Sequence, residues 1–187
     1  MSTLEVNTVD SVSGTSNLTI GSSNSSQITL KSGATLTNFP EMTPAFMVYK
    51  GDGTNQTISS NTYTKVEFSV ESLDTDSDFA SNKFTPTTAG KYCIFASIAL
   101  DASSSNFESG FVSIYKNGSQ LYEVTNQQTN NNANHINIPI HIIEDANGSS
   151  DYFEVFAKCT DSSGSPAINA GGGARRTTFG GYKIIGA

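Results

Sequence analysis

Charge is scarce in this chain: Asp, Glu, Lys and Arg make up 14% of its 187 residues, against roughly 25% in an average soluble protein. The charge that is present is lopsided, with a net −7 and a pI near 4.6. Such a balance repels phosphate backbones and anionic bilayers unless basic residues cluster somewhere. Arg175-Arg176 is the one basic pair in the sequence, which excludes nucleic acid as a partner. No apolar run approaches the roughly 20 residues of a membrane-spanning helix, so membrane insertion is not expected. Met1-Ser2-Thr3-Leu4-Glu5 has neither a basic nor an apolar leader region, and the expectation is synthesis in a cytoplasm without a signal peptide. Cysteine occurs twice, as Cys93 and Cys159, neither beside a histidine nor in a CxxC pair. That spacing gives no support to redox or zinc chemistry. The two read either as buried small apolar residues or as a disulfide between neighbouring strands.

Helical periodicity is missing as well. Apolar residues recur at spacing two or in short bounded runs, never at three and four. Ser, Thr, Asn, Gly and Gln supply the polarity, while Phe, Tyr, Ile and Val crowd the second half. Those runs can bury enough apolar surface, at about 25 cal/mol per Å², to offset chain entropy. The fold class is therefore all-β.

Residues 1–41 differ from the rest. Leu4-Glu5-Val6, Leu18-Thr19-Ile20, Ile28-Thr29-Leu30 and Thr35-Leu36-Thr37 alternate in short pieces separated by Gly, Ser and Asn. Each offers two inward side chains, too few for a core, although sister chains stacked about a threefold axis could complete one. The segment reads either as a fibrous β stem or as an unfolded tail. Pro40 and Pro44 bracket the hinge to a second domain, 42–187.

There the strands are clearer: Ala45 to Lys50, Thr57-Ile58, Tyr63 to Val70, Gly90 to Leu100, Phe111 to Tyr115, Leu121 to Val124, Tyr152 to Cys159 and Arg175 to Ile185. Asn117-Gly118 is the strongest short hairpin signal. Ile136, Ile138, Ile140 and Ile142 alternate with His135, Asn137, Pro139 and His141. Pro139 within that run predicts an edge strand or a bulge. Eight to ten short strands with regular turns describe a sandwich or jelly roll.

Phe68, Asp74, Phe79, Phe84, Gly90, Tyr92 and Phe95 fall close to the aromatic-and-glycine signature of C1q domains. Phe84-Thr85-Pro86…Gly90-Lys91-Tyr92 resembles the family's strand entry, and Phe179-Gly180-Gly181-Tyr182 its closing strand. The Phe79-to-Phe84 interval is two residues short, and Ile94 and Ala96 stand where aromatics are expected. The resemblance, to the C1q-like jelly rolls of the TNF/C1q superfamily, covers 45–187 and implies a homotrimer. Met1 to Thr8 is similar to the opening of small bacteriophage virion proteins, particularly from phages of marine bacteria. That likeness implies a trimeric stem-and-knob: a tail fibre, knob or capsid decoration protein located on the virion. Residues 1–41 would attach to other virion proteins, and the knob would bind host-surface glycan or protein. A soluble C1q-like carbohydrate- or protein-binding module of cellular origin is the alternative, and a stem-anchored glycan hydrolase the second.

Candidate chemistry is thin. Asp74, Asp76 and Asp78 alternate as at the start of a calcium loop, because alternate carboxylates can converge on one hard cation. Phe79 and Thr85 replace the Gly and Glu that an EF-hand requires. The loop is either a looser calcium site, shared between subunits, or a solvated acidic turn; no other cofactor is implied. His135 and His141 lie about 20 Å apart along one strand face and cannot chelate one metal within a chain. No GxSxG, HExxH or P-loop is present, and Gly171-Gly172-Gly173 precedes no helix. The reading is non-enzymatic, with no catalytic residue assigned. Long amide-rich loops at 102–109, 126–134 and 161–173 offer paired donors and acceptors for sugar hydroxyls. Asn130, Asn131 and Asn132 are the candidate ligand-binding residues there, a solvated loop tip being the other reading.

Overall fold

Thirteen strands build the described part of the molecule, which a computed structural model gives as residues 42–102, 107–128, 133–162, 165–171 and 173–185. The expected stem, residues 1–41, lies outside them. In chain order the strands are β1 (Ala45–Tyr49), β2 (Gln56–Thr57), β3 (Thr64–Lys65), β4 (Val70–Asp74), β5 (Phe79–Ala80), β6 (Lys83–Phe84) and β7 (Ala89–Asp101). Then come β8 (Phe107–Lys116), β9 (Ser119–Gln127), β10 (His135–Asn147), β11 (Phe153–Asp161), β12 (Ala167–Ile168) and β13 (Thr178–Lys183).

They form two sheets. The first runs β2-β12-β7-β13-β1-β4, with β10 on the other edge of β7. The second runs β5-β6-β11-β8-β9, with β3 also on β11. All pairings are antiparallel. Alternation decides which side chains enter the core. Tyr92, Ile94, Ala96 and Ile98 of β7 and Ile138, Ile140 and Ile142 of β10 point inward from the first sheet. Val112, Ile114, Phe153, Val155, Ala157 and Cys159 meet them from the second.

One end of the core is aromatic. Phe46 stacks on Phe84 at 4.1 Å and on Phe79 at 5.5 Å, and meets Phe179 edge-on at 4.8 Å. Tyr92 stands edge-on to Phe84 at 5.8 Å, and Phe68 closes the cluster against Phe79 and Phe179. Phe68, Phe79, Phe84 and Phe179 are signature phenylalanines and Phe46 is not; removing a fully buried ring such as Phe84 costs about 3–5 kcal/mol. Phe95 is the exception. It sits one register step out of phase with Tyr92 and Ile94, and so faces away from the core.

Two expected strands are cut short. Tyr63 to Val70 is not one strand, because here the chain crosses from the second sheet to the first. Side-chain amides serve its backbone during the crossing: Gln56 donates to the Lys65 carbonyl (2.8 Å) and accepts from Glu67 N–H (3.0 Å), and Asn82 accepts from Phe68 N–H (2.8 Å). Arg175 and Arg176 fall outside the last strand, in the loop before it. The Asn117-Gly118 hairpin forms with both residues at positive φ, 54° and 77°, as a type I′ turn between β8 and β9 demands. Pro139 lies on an edge strand, and the pairing of β10 with β7 runs through it without a bulge. Cys93 and Cys159 are both free thiols.

Candidate binding surfaces

The register of the first sheet lays its outer face out in rungs. Ile143, Cys93, Tyr182 and Ala45 form one; His141, Phe95, Gly180, Met47 and Leu73 the next; Pro139, Ser97, Thr178 and Tyr49 a third. Asp145 pairs with Lys91 beyond one end, and His135 with Asp101 beyond the other. Between those two contacts the three rungs themselves hold no Asp, Glu, Lys or Arg. Gly180 shapes the centre: a Cβ there would lie 2.6 Å from the Phe95 ring and 2.9 Å from Met47 Sδ. Its missing side chain lets both lie flat across the sheet. The neighbouring Cys93 thiol is the main cause that raises the Tyr182 hydroxyl pKa.

A second apolar surface lies at the open edge of the sandwich. Leu121, Tyr122 and Val124 of β9 are exposed. By register Tyr122 and Val124 oppose the inward Ile114 and Val112, yet Tyr122 keeps 51% of its surface in solvent.

The far side of the second sheet is occupied by its own contacts. Lys158 Nζ lies over Phe111 (3.9 Å) and Tyr63 (4.6 Å), and Glu123 takes the Tyr63 hydroxyl, Ser113 Oγ (3.0 Å) and Gln120 (2.9 Å). Burial foremost, then the Glu123 contact, pushes Tyr63 up to about 12.

The acidic loop folds around its own carboxylates. Asp74 accepts both Asp78 N–H and Phe79 N–H at 3.0 Å. Asp78 turns inward and accepts Thr87 N–H (2.9 Å) and the Thr87 hydroxyl (3.1 Å), while Asp76 stays exposed. Among the described residues no three His, Cys, Asp or Glu side chains gather as metal ligands. Asp74 thus has a structural duty that explains its place beside the aromatic positions. Tyr92 donates to the Thr88 carbonyl (2.6 Å), and its pKa rises to about 12 through burial first and the Asp78 and Asp76 charges next.

Asn130, Asn131 and Asn132 lie outside the described residues. In the 161–173 loop Asn169 is committed to Asp101 at 2.5 Å, as is Asn55 from the β1–β2 loop at 3.1 Å, and Asp101 also takes His135 Nδ1 at 2.5 Å. Both amides buttress their loops through Asp101, Asn169 from a half-buried position and Asn55 from an exposed one. Sequence reasoning missed Tyr49, Lys50 and Arg175, which converge on a cavity beside the end of β1. Its only sequence signal is Arg175 of the single basic pair, since nothing in Tyr49-Lys50-Gly51 indicates that the lysine is buried.

No protein-family model and no curated protein matches this chain. Solved structures do. The globular domain of zebrafish complement 1qA protein superposes with a TM-score of 0.52 at 14% identity, covering 76% of this chain and 97% of that one. The Eiger TNF structure from S. frugiperda gives 0.53 at 11% identity, covering 76% and 93%. Two antiparallel sheets, a phenylalanine cluster between them and these superpositions agree on one architecture: the described domain is a jelly roll of the C1q/TNF type.

Proposed function

We propose that this chain is a non-catalytic binding module that works as a homotrimer, the charge-free face of the first sheet packing on the β9 edge of the next copy. The observation that carries this reading is the pair of non-equivalent apolar surfaces on one chain. Ile143 at 62% exposure and Leu73 at 48% flank the sheet face, and Tyr122 marks the open edge. Contiguous exposed apolar patches of this kind mark interaction sites. A face-to-edge contact is heterologous, and it ends in a ring when the rotation closes. Three copies is the number that the C1q/TNF likeness implies. The full chain should scatter light as three times 19.8 kDa; a stable monomer at micromolar concentration would discard the assembly.

The finer reading is a bacteriophage virion protein, a fibre, knob or capsid decoration carried by residues 1–41. Its support is the Met1-to-Thr8 opening and the low charge of the whole chain. Density for this chain within an intact particle tests it, and a cellular location without any particle would end it.

A further inference from the structure

Lys50, which follows β1, keeps only 4% of its side chain in solvent. An ammonium carries three donors. Among the described residues this one makes a single hydrogen bond, 3.2 Å to Asp52 Oδ2, longer than the roughly 2.7–2.9 Å of a tight charge-assisted pair. Across the gap, the Arg175 guanidinium lies 4.5 Å from the centre of the Tyr49 ring. Among the described residues it joins no ion pair, whereas Lys50, Lys65, Lys91 and Lys116 each have a carboxylate. A guanidinium held over a ring face can keep its N–H fork for a second partner.

These three side chains, with Gly51, Ala170, Gly173 and Ala174, enclose about 230 Å³. Both glycines of the wall have a reason, one spatial and one conformational. A Cβ on Gly51 would lie 2.5 Å from the Tyr49 ring, while Gly173, at a φ of +99°, faces open space. The cavity is smaller than the roughly 300–1,000 Å³ of pockets for drug-sized ligands, so it accepts one ring rather than a chain. Two cations and one flanking Asp52 leave a local charge of +1 on a chain of net −7. That contrast suits a ligand with one negative charge and disfavours a polyanion.

We propose that this cavity binds the carboxylate of a single acidic sugar, Arg175 holding both carboxylate oxygens through its fork and Lys50 supplying the second positive charge. A carboxylate is planar with two oxygens, the geometry the fork fits. The remaining wall is Gly51, Ala170, Gly173 and Ala174; the N–H groups of Gly51, Ala170 and Ala174 donate to Ser69 Oγ, Asn55 Oδ1 and the Gly171 carbonyl, so the wall addresses sugar hydroxyls mainly through acceptors. The described lining residues all belong to one chain, and one of them, Tyr49, also sits on the third rung of the face proposed to pack in the trimer, so binding and assembly are read separately.

Sodium glucuronate is the probe, titrated into the full chain and read by saturation-transfer NMR and calorimetry. Glucuronate should bind, more weakly as salt is raised, and glucose should bind at least about tenfold less tightly. Arg175→Gln should weaken glucuronate by about tenfold or more without moving the unfolding temperature, because Arg175 is exposed. Lys50→Gln should weaken it too; should that variant unfold, the exposed Arg175 position still decides. An oligosaccharide ending in glucuronate that binds as well as the free acid supports a glycan source, and one that fails where the free acid binds overturns it. Equal affinity for glucose, unchanged binding by Arg175→Gln, or a glutamate-rich peptide that outcompetes glucuronate would each overturn the assignment. Light scattering on the same samples separates this outcome from the assembly: a monomer that binds glucuronate refutes the trimer alone.

Discussion

Gly180 and Gly181 are neighbours in β13 that face opposite sides of one sheet, and they should fail in different ways. A Cβ on Gly181 would meet Ile94 Cδ1 at 2.8 Å, the Cys93 carbonyl at 2.9 Å and Phe46 at 3.0 Å. Backbone and buried ring cannot both yield, so Gly181→Ala should cost about 1–3 kcal/mol, as overpacked cores do. A Cβ on Gly180 would meet the tip of Phe95 and Met47 Sδ. Those are far ends of side chains on an outer face, which can swing aside cheaply. Gly180→Ala should therefore leave the unfolding free energy of the single domain nearly unchanged and weaken the proposed association instead. Denaturant melts measure the first and light scattering at graded concentration the second. If both variants lose stability equally with no change in mass, the outer face has no part in assembly.

At the scale of elements, the turn between β4 and β5 carries the next prediction. Asp74 accepts two backbone N–H groups there, which ties the β4 end to Phe79 and hence to the aromatic cluster. Replacing it by Ala leaves two amides without their acceptor and should cost about 1–3 kcal/mol. Asp74 and Asp78 already have protein donors, so the loss should be the same in chelator and in millimolar calcium. A melting temperature of the wild type that climbs with calcium would instead establish a metal site at Asp74, Asp76 and Asp78. This turn also indicates what sequence could reveal. The alternation of Ile138, Ile140 and Ile142 and the Asn117-Gly118 hairpin act locally, within one strand or turn, and were legible, while the phenylalanines, spread over β5, β6 and β13, were legible through the resemblance to C1q domains. The break at residues 66–69 was not, because its cause is Gln56 and Asn82 reaching in from other segments. The Lys50 cavity was hidden for the same reason, since β1 and the loop before β13 meet only after folding.

For the whole molecule, the two cysteines offer a readout of assembly that needs no change to the interface chemistry. Cys159 is fully buried, and burial, chiefly, pushes its thiol up to about 12. At pH 8 almost none of it is thiolate, the reactive form, and no reagent can reach it without unfolding. Cys93 occupies a rung of the charge-free face, half-buried beside Ile143 and Tyr182. In a trimer closed by that face it should be shielded by the neighbouring copy. A thiol reagent at pH 8 should then label neither cysteine in the native wild type, and both after denaturation. Phe95→Asp puts a charge into the centre of the face and none into the core, because Phe95 points outward. That variant should be a folded monomer in which Cys93 labels and Cys159 does not. Rapid labelling of Cys93 in the wild type at the same rate as in Phe95→Asp would mean that the face stays open to solvent. The apolar rungs would then have to serve a partner other than a second copy of this chain.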